Sequence, residues 1–295
     1  MTKFAMLFPG HGMQNFKIIK KLYNKHLIIK KTFSEASNHL NYNLWKIFLK
    51  KNQKKIYDYF SQLEILTISV SLYRLWKKKI GTQPYVMTGH SLGQYSALVC
   101  SHSLNFSDAL KIVAYREKLM LQKKGVMYSI IGLKKKKIKK IFKNLGKKKF
   151  FIACINSDNQ IVITGKKKYA KKNLYECKKN GAKYIIKLPI KNISHCSLMN
   201  EIKKKIFTKF LKINFNQPKN LILDSTLIKF LKKPKKIKHA LFNQICKTVY
   251  WNQTINFLLY KKIKYFLEIN TGNLLTKLSC KKKKYHSLNI KKIFN

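Results

Sequence analysis

The chain of 295 residues is 45% hydrophobic and 13% aromatic, enough apolar material for one large or two modest packed cores, which excludes disorder throughout. Its charge is extreme: 64 Lys and Arg against 10 Asp and Glu give a formal net charge of +54. That balance admits a nucleic-acid-binding protein, yet only Arg74 and Arg116 are arginines, and readers of phosphate and guanine edges draw on the guanidinium fork. A gene drifted towards A and T would produce the same excess of Lys, Asn, Ile, Phe and Tyr with no basic-surface selection. Either origin leaves a surface that attracts acidic macromolecules at moderate salt.

In chain order, KFAMLF (Lys3 to Phe8) reads as a buried strand ended by Pro9-Gly10. Helices are expected over Phe16 to Leu27 and near Phe33 to Leu40, and a long buried helix over Asp58 to Ile80. PYVMTG (Pro84 to Gly89) is a second buried strand and Leu92 to His102 a helix. The next helix is expected to be capped by Ser107, with Ala109, Ile112, Val113, Arg116, Leu119 and Met120 on one face. Gly125 to Leu133 is strand-like, followed by a basic helix, two strands (FFIACINS and NQIVITG) turning at Asp158-Asn159, a helix closed by Gly181, and the strand AKYIIKLPI. That β-α-β-β-α-β order is the ferredoxin-like pattern, so residues 124–190 are expected to form a small domain inserted into a core of 1–123 and 191–295. Beyond it come EIKKKIFTKFL, NLILDST, ALFNQICKTVYW, TINFLLYKKI and the strand KYFLEIN, then a basic tail expected to be loosely held.

Cys100, Cys154, Cys177, Cys196, Cys246 and Cys280 are widely spaced, with no CxxC pair and no metal-ligand cluster. Free thiols and no bound metal are expected. The apolar run before Pro9 is too short for a signal peptide, and no run approaches the roughly 20 residues that span a bilayer. A cytoplasmic protein without membrane attachment is expected.

Glycine is scarce, 11 residues in all, yet two flank Ser91 in MTGHSLGQYSALVCS. Strand, Gly-His-Ser-Leu-Gly, helix is the setting of a nucleophile elbow, in which a tight turn lifts the serine to a helix N-terminus. A capping serine in a Gly-bounded turn is the plainer account. A nucleophilic serine needs a base. His195, in KNISHCSLM, is in a loop before a helix and is the best placed of the eight histidines. Between Ser91 and His195 the acids are Asp108, Glu117, Asp158 and Glu176, none in a strand-then-turn setting, so a Ser–His dyad oriented by a backbone carbonyl is expected. Arg116 lies within an apolar stripe and needs an anion. That anion is either one of the ten acids or a substrate carboxylate held by the bidentate fork.

FPGHGMQ, GHSLGQYSALVCS, YREKLM, CINSDNQIVITG, SHCSLM and EINTG, in this order and spacing, resemble the bacterial malonyl-CoA:acyl carrier protein transacylase family over almost the whole chain. The resemblance implies an α/β fold, a hydrolase-like three-layer αβα core with a parallel sheet plus the ferredoxin-like insert. It implies ping-pong malonyl transfer in fatty acid synthesis, with Ser91 as nucleophile and His195 as base. Backbone N–H groups of His11 and Leu92 would hold the oxyanion, Arg116 the malonyl carboxylate, and the Tyr250 carbonyl would orient the histidine. Asn156 and Gln160 would line the cleft. Malonyl-CoA and an acidic, phosphopantetheine-bearing acyl carrier protein are the implied substrates, no cofactor is called for, and a monomer is implied. The chain departs from the family's pattern at His11 (usually Gln), Met13 (usually small), Gln94 (usually Glu), Tyr250 (usually Gln), Ser61 to Glu64 and EINTG. A serine esterase or thioesterase on the same elbow is the competing enzyme, and a basic nucleic-acid binder the competitor from another class.

Overall fold

In a computed structural model of the chain, the described residues are 3–11, 14–53, 61–146, 150–279, 286–290 and 294. The central strand β1 (Phe4–Phe8) has no polar face, and Ala5 to Phe8 are all fully buried. A strand of that kind belongs in a parallel sheet covered on both sides. β1 pairs in parallel with β2 (Val86–Gly89) on one edge and with β9 (Tyr265–Glu268) on the other. β7 (Leu221–Asp224) extends the sheet beyond β2, and β10 (His286–Asn289) beyond β9, both parallel. The antiparallel β8 (Lys229–Leu231) closes one edge, giving the order β10-β9-β1-β2-β7-β8.

The two-residue period of β1 divides the core. Met6 and Phe8 join one apolar cluster with α4 (Gln62–Lys79), α5 (Gly93–Cys100), α6 (Phe106–Leu121), α9 (Asn200–Leu211) and α10 (Pro234–Asn243). Ala5 and Leu7 join another with Trp251, Ile255 and Leu258 of α11 (Trp251–Tyr260). Helices on both sheet faces make the core three-layered αβα.

The inserted part forms a four-stranded antiparallel sheet. β3 (Val126–Ile131), α7 (Lys135–Asn144), β4 (Phe150–Ser157), β5 (Gln160–Gly165), α8 (Ala170–Lys179) and β6 (Tyr184–Lys187) follow in sequence, and the strand order is β4-β5-β3-β6. Ile138 and Ile141 of α7 and Cys177 of α8 close over Ile130, Ile161 and Ile163. The other face presents Met127, Cys154 and Val162 to the cluster around Trp251. At the entrance and exit the chain pairs with itself: Gly125 N–H donates to Lys191 O and Ile193 N–H to Lys123 O, both at 3.0 Å. β4 is also tied to the core through Val249, by bonds of 2.8 and 2.9 Å.

Several elements differ from expectation. The N-terminal helical region is α1 (Phe16–Lys25) and α2 (Leu27–Leu40), broken at His26, whose backbone is extended. A further helix, α3 (Leu44–Gln53), follows. α4 starts at Gln62, where Ser61 and Glu64 form a reciprocal capping box, and residues 58–60 lie outside the described residues. Ser107 is not the cap of α6: Asn105 takes that place in extended backbone, because Phe106 is drawn into the core. The expected loose tail contains β10, while 281–285 lie outside the described residues. Among the described residues no helix is long and apolar enough to cross a membrane.

Trp251 is wholly buried where the two sheets share α11. Trp251→Ala is expected to cost about 3–5 kcal/mol, measured as a shift in the urea unfolding curve.

Candidate active site

The site begins where β2 ends. Gly89 and Gly93 bracket a turn in which the backbone folds onto itself: a Cβ on Gly89 would lie 2.0 Å from the Gly93 carbonyl carbon, and one on Gly93 would lie 2.0 Å from Phe8 O. Only glycine permits this approach. Ser91 between them takes φ +52°, a left-handed conformation for a side-chain-bearing residue. The turn is pinned from three sides. Gly89 N–H donates to Gln94 Oε1 at 3.0 Å, Ser225 Oγ to Gly89 O at 2.8 Å, and Gln244 Nε2 to Ser91 O at 3.0 Å. Gln94 therefore meets a backbone N–H with a neutral amide oxygen at the position where the transacylase family has Glu.

Ser91 Oγ lies 2.7 Å from His195 Nε2. On the other side of the ring, His195 Nδ1 is 3.0 Å from Gln244 O and 3.2 Å from Lys247 O. Two carbonyls can only accept, so Nδ1 carries the proton and Nε2 offers its lone pair to the serine hydroxyl. His195 is itself at φ +58°, held by its N–H to Ile245 O at 2.9 Å. Burial first, then the positive charge of Arg116, lowers its pKa from 6.5 to about 3. The imidazole is therefore neutral at pH 7.

The orienting carbonyls correct one expectation. Tyr250 does not orient His195: its carbonyl accepts from Thr254 N–H and Thr254 Oγ1, both at 2.9 Å, because Tyr250 caps α11. The loop before that helix brings Gln244 and Lys247 to the ring instead.

Arg116 is 2% exposed and lines the same cavity as Ser91. Its Nη1 donates to Gln62 Oε1, and its guanidinium lies 5.8 Å from the Tyr95 ring centroid. Among the described residues no acid side chain pairs with it. Gln62 is anchored by its own N–H to Glu117 Oε1 at 3.0 Å.

Gly10 and His11 reach the cavity from the loop after β1, and a Cβ on Gly10 would lie 3.6 Å from Leu92 N. The Leu92 N–H, at the start of α5, has no hydrogen-bond acceptor among the described residues. His11 has its pKa lowered to about 3 by burial and by Arg116. Met13 lies outside the described residues.

Asn156 and Gln160 line the cavity from the small sheet. Asn156 Oδ1 is 2.9 Å from His90 Nε2, and Gln160 Nε2 donates to Ser129 Oγ at 3.3 Å. The EINTG segment builds the far wall. Glu268 accepts from Leu275 N–H at 3.2 Å and Thr276 N–H at 2.8 Å, holding the start of α12 (Leu274–Ser279) so that Leu274, Leu275 and Leu278 face the cavity. Thr271 Oγ1 accepts from Asn15 N–H at 2.9 Å, joining this segment to the loop after β1.

A nucleophile, a neutral base and a buried cation around one cavity suit acyl transfer with an anionic acyl group. Residues 5–291 match the family model described as "Acyl transferase domain".

The chain belongs to the acyl transferase family.

It is 41% identical over 301 residues to the malonyl CoA-acyl carrier protein transacylase of Buchnera aphidicola subsp. Schizaphis graminum, covering 100% of this chain and 97% of that one. It is 33% identical to the transacylase of the same name from Escherichia coli K12, over 95% of this chain and 92% of that one. Among solved structures, the malonyl CoA-acyl carrier protein transacylase of Coxiella burnetii superposes with a TM-score of 0.92 at 31% identity, covering 98% of this chain and 94% of that one. A malonyl-transacylase in complex with its type II PKS acyl-carrier protein gives the same TM-score and identity, over 98% and 96% of the two chains.

Sequence reasoning missed Gln244 and Lys247, which act through carbonyls, and the contact of Gln62 with Arg116. Gln62 stands in the SQLE stretch, which carried a signal only as a departure from pattern.

His11 and His195 both titrate near 3 in the folded acyl transferase and near 6.5 when unfolded. The unfolded chain takes up more protons in that window, so their contribution to stability is complete above about 6.5 and is lost as pH falls towards 3. His11→Gln is expected to flatten the fall in stability between pH 6.5 and 4. Urea midpoints at several pH values, variant against parent, measure it.

Proposed function

We propose that the protein carries malonyl groups from malonyl-CoA to the phosphopantetheine thiol of acyl carrier protein, in fatty acid synthesis, through a malonyl ester on Ser91. The observation that carries this reading is Arg116, a buried guanidinium in the nucleophile's own cavity with, among the described residues, only the neutral Gln62 as its side-chain hydrogen-bond acceptor. A charge so placed is costly without an anion, and a malonyl carboxylate supplies one through the bidentate fork. The names of the relatives, at 41% and 33% identity, support the same substrate pair.

In this mechanism Ser91 Oγ attacks the thioester carbonyl as its proton passes to His195 Nε2. The Leu92 and His11 N–H groups receive the oxyanion. The tetrahedral intermediate collapses with loss of the CoA thiolate, which takes the proton from His195. The carrier-protein thiol then gives its proton to His195 and attacks the ester, and Ser91 leaves with that proton. The imidazolium formed midway is disfavoured by Arg116. Pairing of Arg116 with the malonyl carboxylate offsets that charge, so an anionic acyl group raises the basicity of its own catalyst. The cleft lies between the core of 1–123 and 191–295 and the small subdomain of 124–190. We place the enzyme in the cytoplasm, acting as a monomer. A net charge of +54 favours encounter with an acidic carrier. Nucleic-acid binding would be incidental to that surface and lost at physiological salt.

Brief mixing with malonyl-CoA is expected to add one malonyl group to the wild type and none to Ser91→Ala, read by intact mass, and acyl carrier protein discharges it. Free malonate with no adduct would mark a hydrolase. Arg116→Ala is expected to lower malonyl transfer by about a hundredfold or more, with far less effect on acetyl transfer. Equal loss of both would remove the carboxylate role.

A further inference from the structure

Two cysteines stand on either side of the contact that holds the base. Cys196 follows His195, and Cys246 lies inside the segment whose Gln244 and Lys247 carbonyls orient the His195 ring. One backbone bond joins the residues just before them: His195 N–H donates to Ile245 O at 2.9 Å. Cys196 caps a single 3₁₀ turn, Ser197–Met199, and Cys246 ends another, Gln244–Cys246; the two turns pack together. Both side chains belong to one apolar cluster, Cys196 buried in it and Cys246 half-buried against it. Both thiols are free. Leu198 N–H donates to the Cys196 sulfur. Burial pushes the Cys196 thiol up to about 12, and the charge of Cys246 adds to the rise. Burial raises the Cys246 thiol as well, while Lys203 and Lys247 act to lower it. Among the described cysteines, no other thiol is raised by a second cysteine.

The half-exposed Cys246, with two lysines beside it, is the thiol that meets a small oxidant first. We propose that Cys196 and Cys246 are a redox pair, oxidised by hydroperoxides, whose disulfide disables the base His195. The Cys246 thiolate, its proton released to water, attacks one oxygen of hydrogen peroxide. The O–O bond breaks, hydroxide leaves and a sulfenic acid forms. The Cys196 sulfur then attacks the sulfenic sulfur. An S–S bond forms, the S–O bond breaks, and water leaves with the Cys196 proton. Two thiols and one peroxide thus become one disulfide and two waters. A disulfide holds its Cβ atoms roughly 3.5–4.5 Å apart, so it draws the more exposed Gln244–Cys246 turn towards the buried Cys196. The carbonyls of Gln244 and Lys247 move with that turn, and His195 Nδ1–H loses the acceptors that fix its tautomer. The hold of Gln244 Nε2 on Ser91 O loosens as well. This control acts on the Ser91–His195 dyad and holds for any acyl group the enzyme carries.

The test treats the protein with hydrogen peroxide and reads the cross-link and the serine separately. Alkylation under denaturing conditions and peptide mapping are expected to find Cys196 joined to Cys246, and both thiols are expected to return with dithiothreitol. Labelling of Ser91 by a fluorophosphonate, read by intact mass, is expected to slow about tenfold in the cross-linked protein and to recover on reduction. Cys246→Ser, at a half-exposed position, is expected to form no cross-link and to keep its own labelling rate under peroxide. Thermal unfolding verifies its fold, and Cys196→Ala is the second variant. Absence of the linked peptide overturns the pair, as does oxidation of Cys246 that stops at the sulfenic or sulfinic acid. A linked peptide with unchanged Ser91 labelling, or equal slowing in Cys246→Ser, overturns the action on the base. The probe carries no malonyl group, so a wild type that labels normally yet fails to transfer malonyl defeats the transfer reading and leaves the redox pair standing.

Discussion

The close crossing of backbones at Gly93 is the constraint on which the site depends. A methyl group there would overlap the carbonyl of Phe8, the last residue of the central strand. Because nothing intervenes, α5 begins directly above the ends of β1 and β2, and the chain must turn from strand to helix within a few residues. That turn forces Ser91 to φ +52°. A residue held there stores roughly 1–3 kcal/mol of strain, offset here by bonds from Ser225, Gln244 and Gln94 side chains around the turn. The strained turn presents Ser91 Oγ to the cavity.

The segment 244–249 extends the constraint outward. Gln244 holds Ser91 through its side chain and His195 through its carbonyl. Lys247 supplies the second carbonyl at the ring. Val249 then pairs with β4, the strand that carries Asn156, whose side chain meets His90 beside Ser91. Ser91, His195 and the small subdomain are thus registered by six consecutive residues. Displacing the subdomain would pull on the same backbone that fixes the imidazole, so positioning of the cleft wall and orientation of the His195 ring are one mechanical property.

What could be read in the chain follows from where its signals lie. β1, β2 and the elbow were legible because buried parallel strands are apolar on both faces and because a glycine-poor chain places Gly89 and Gly93 where no side chain fits. The β-α-β-β-α-β insert was legible despite its lysines: α7 keeps Ile138 and Ile141 inward, and lysine fills the rest. α3 was missed because LWKIFLKKNQ follows α2 without a strong stop. The break at Asn41 depends on a left-handed residue that is not glycine. β8 has three residues, too few to establish a period. The histidine's partners were misassigned to Tyr250 because a carbonyl has no side-chain signature. Which carbonyl reaches the ring is decided by the path of a loop.

The two arginines show how the basic excess and the site can be separated. In a chain with 64 basic residues, lysine serves nearly every position where a solvated point charge suffices. Arg74 instead bridges two helices, its two terminal nitrogens meeting the two oxygens of Glu35, with a further bond to Thr32 Oγ1. Arg116 lies buried between Gln62 and the face of Tyr95. Each uses the planar, multi-donor head that an ammonium cannot imitate. Lysine at 116 would provide charge but not a fork, and burial would press it to shed its proton. Overall charge is therefore a poor guide to this protein's chemistry. The informative cations are the two whose shape, rather than whose charge, is required.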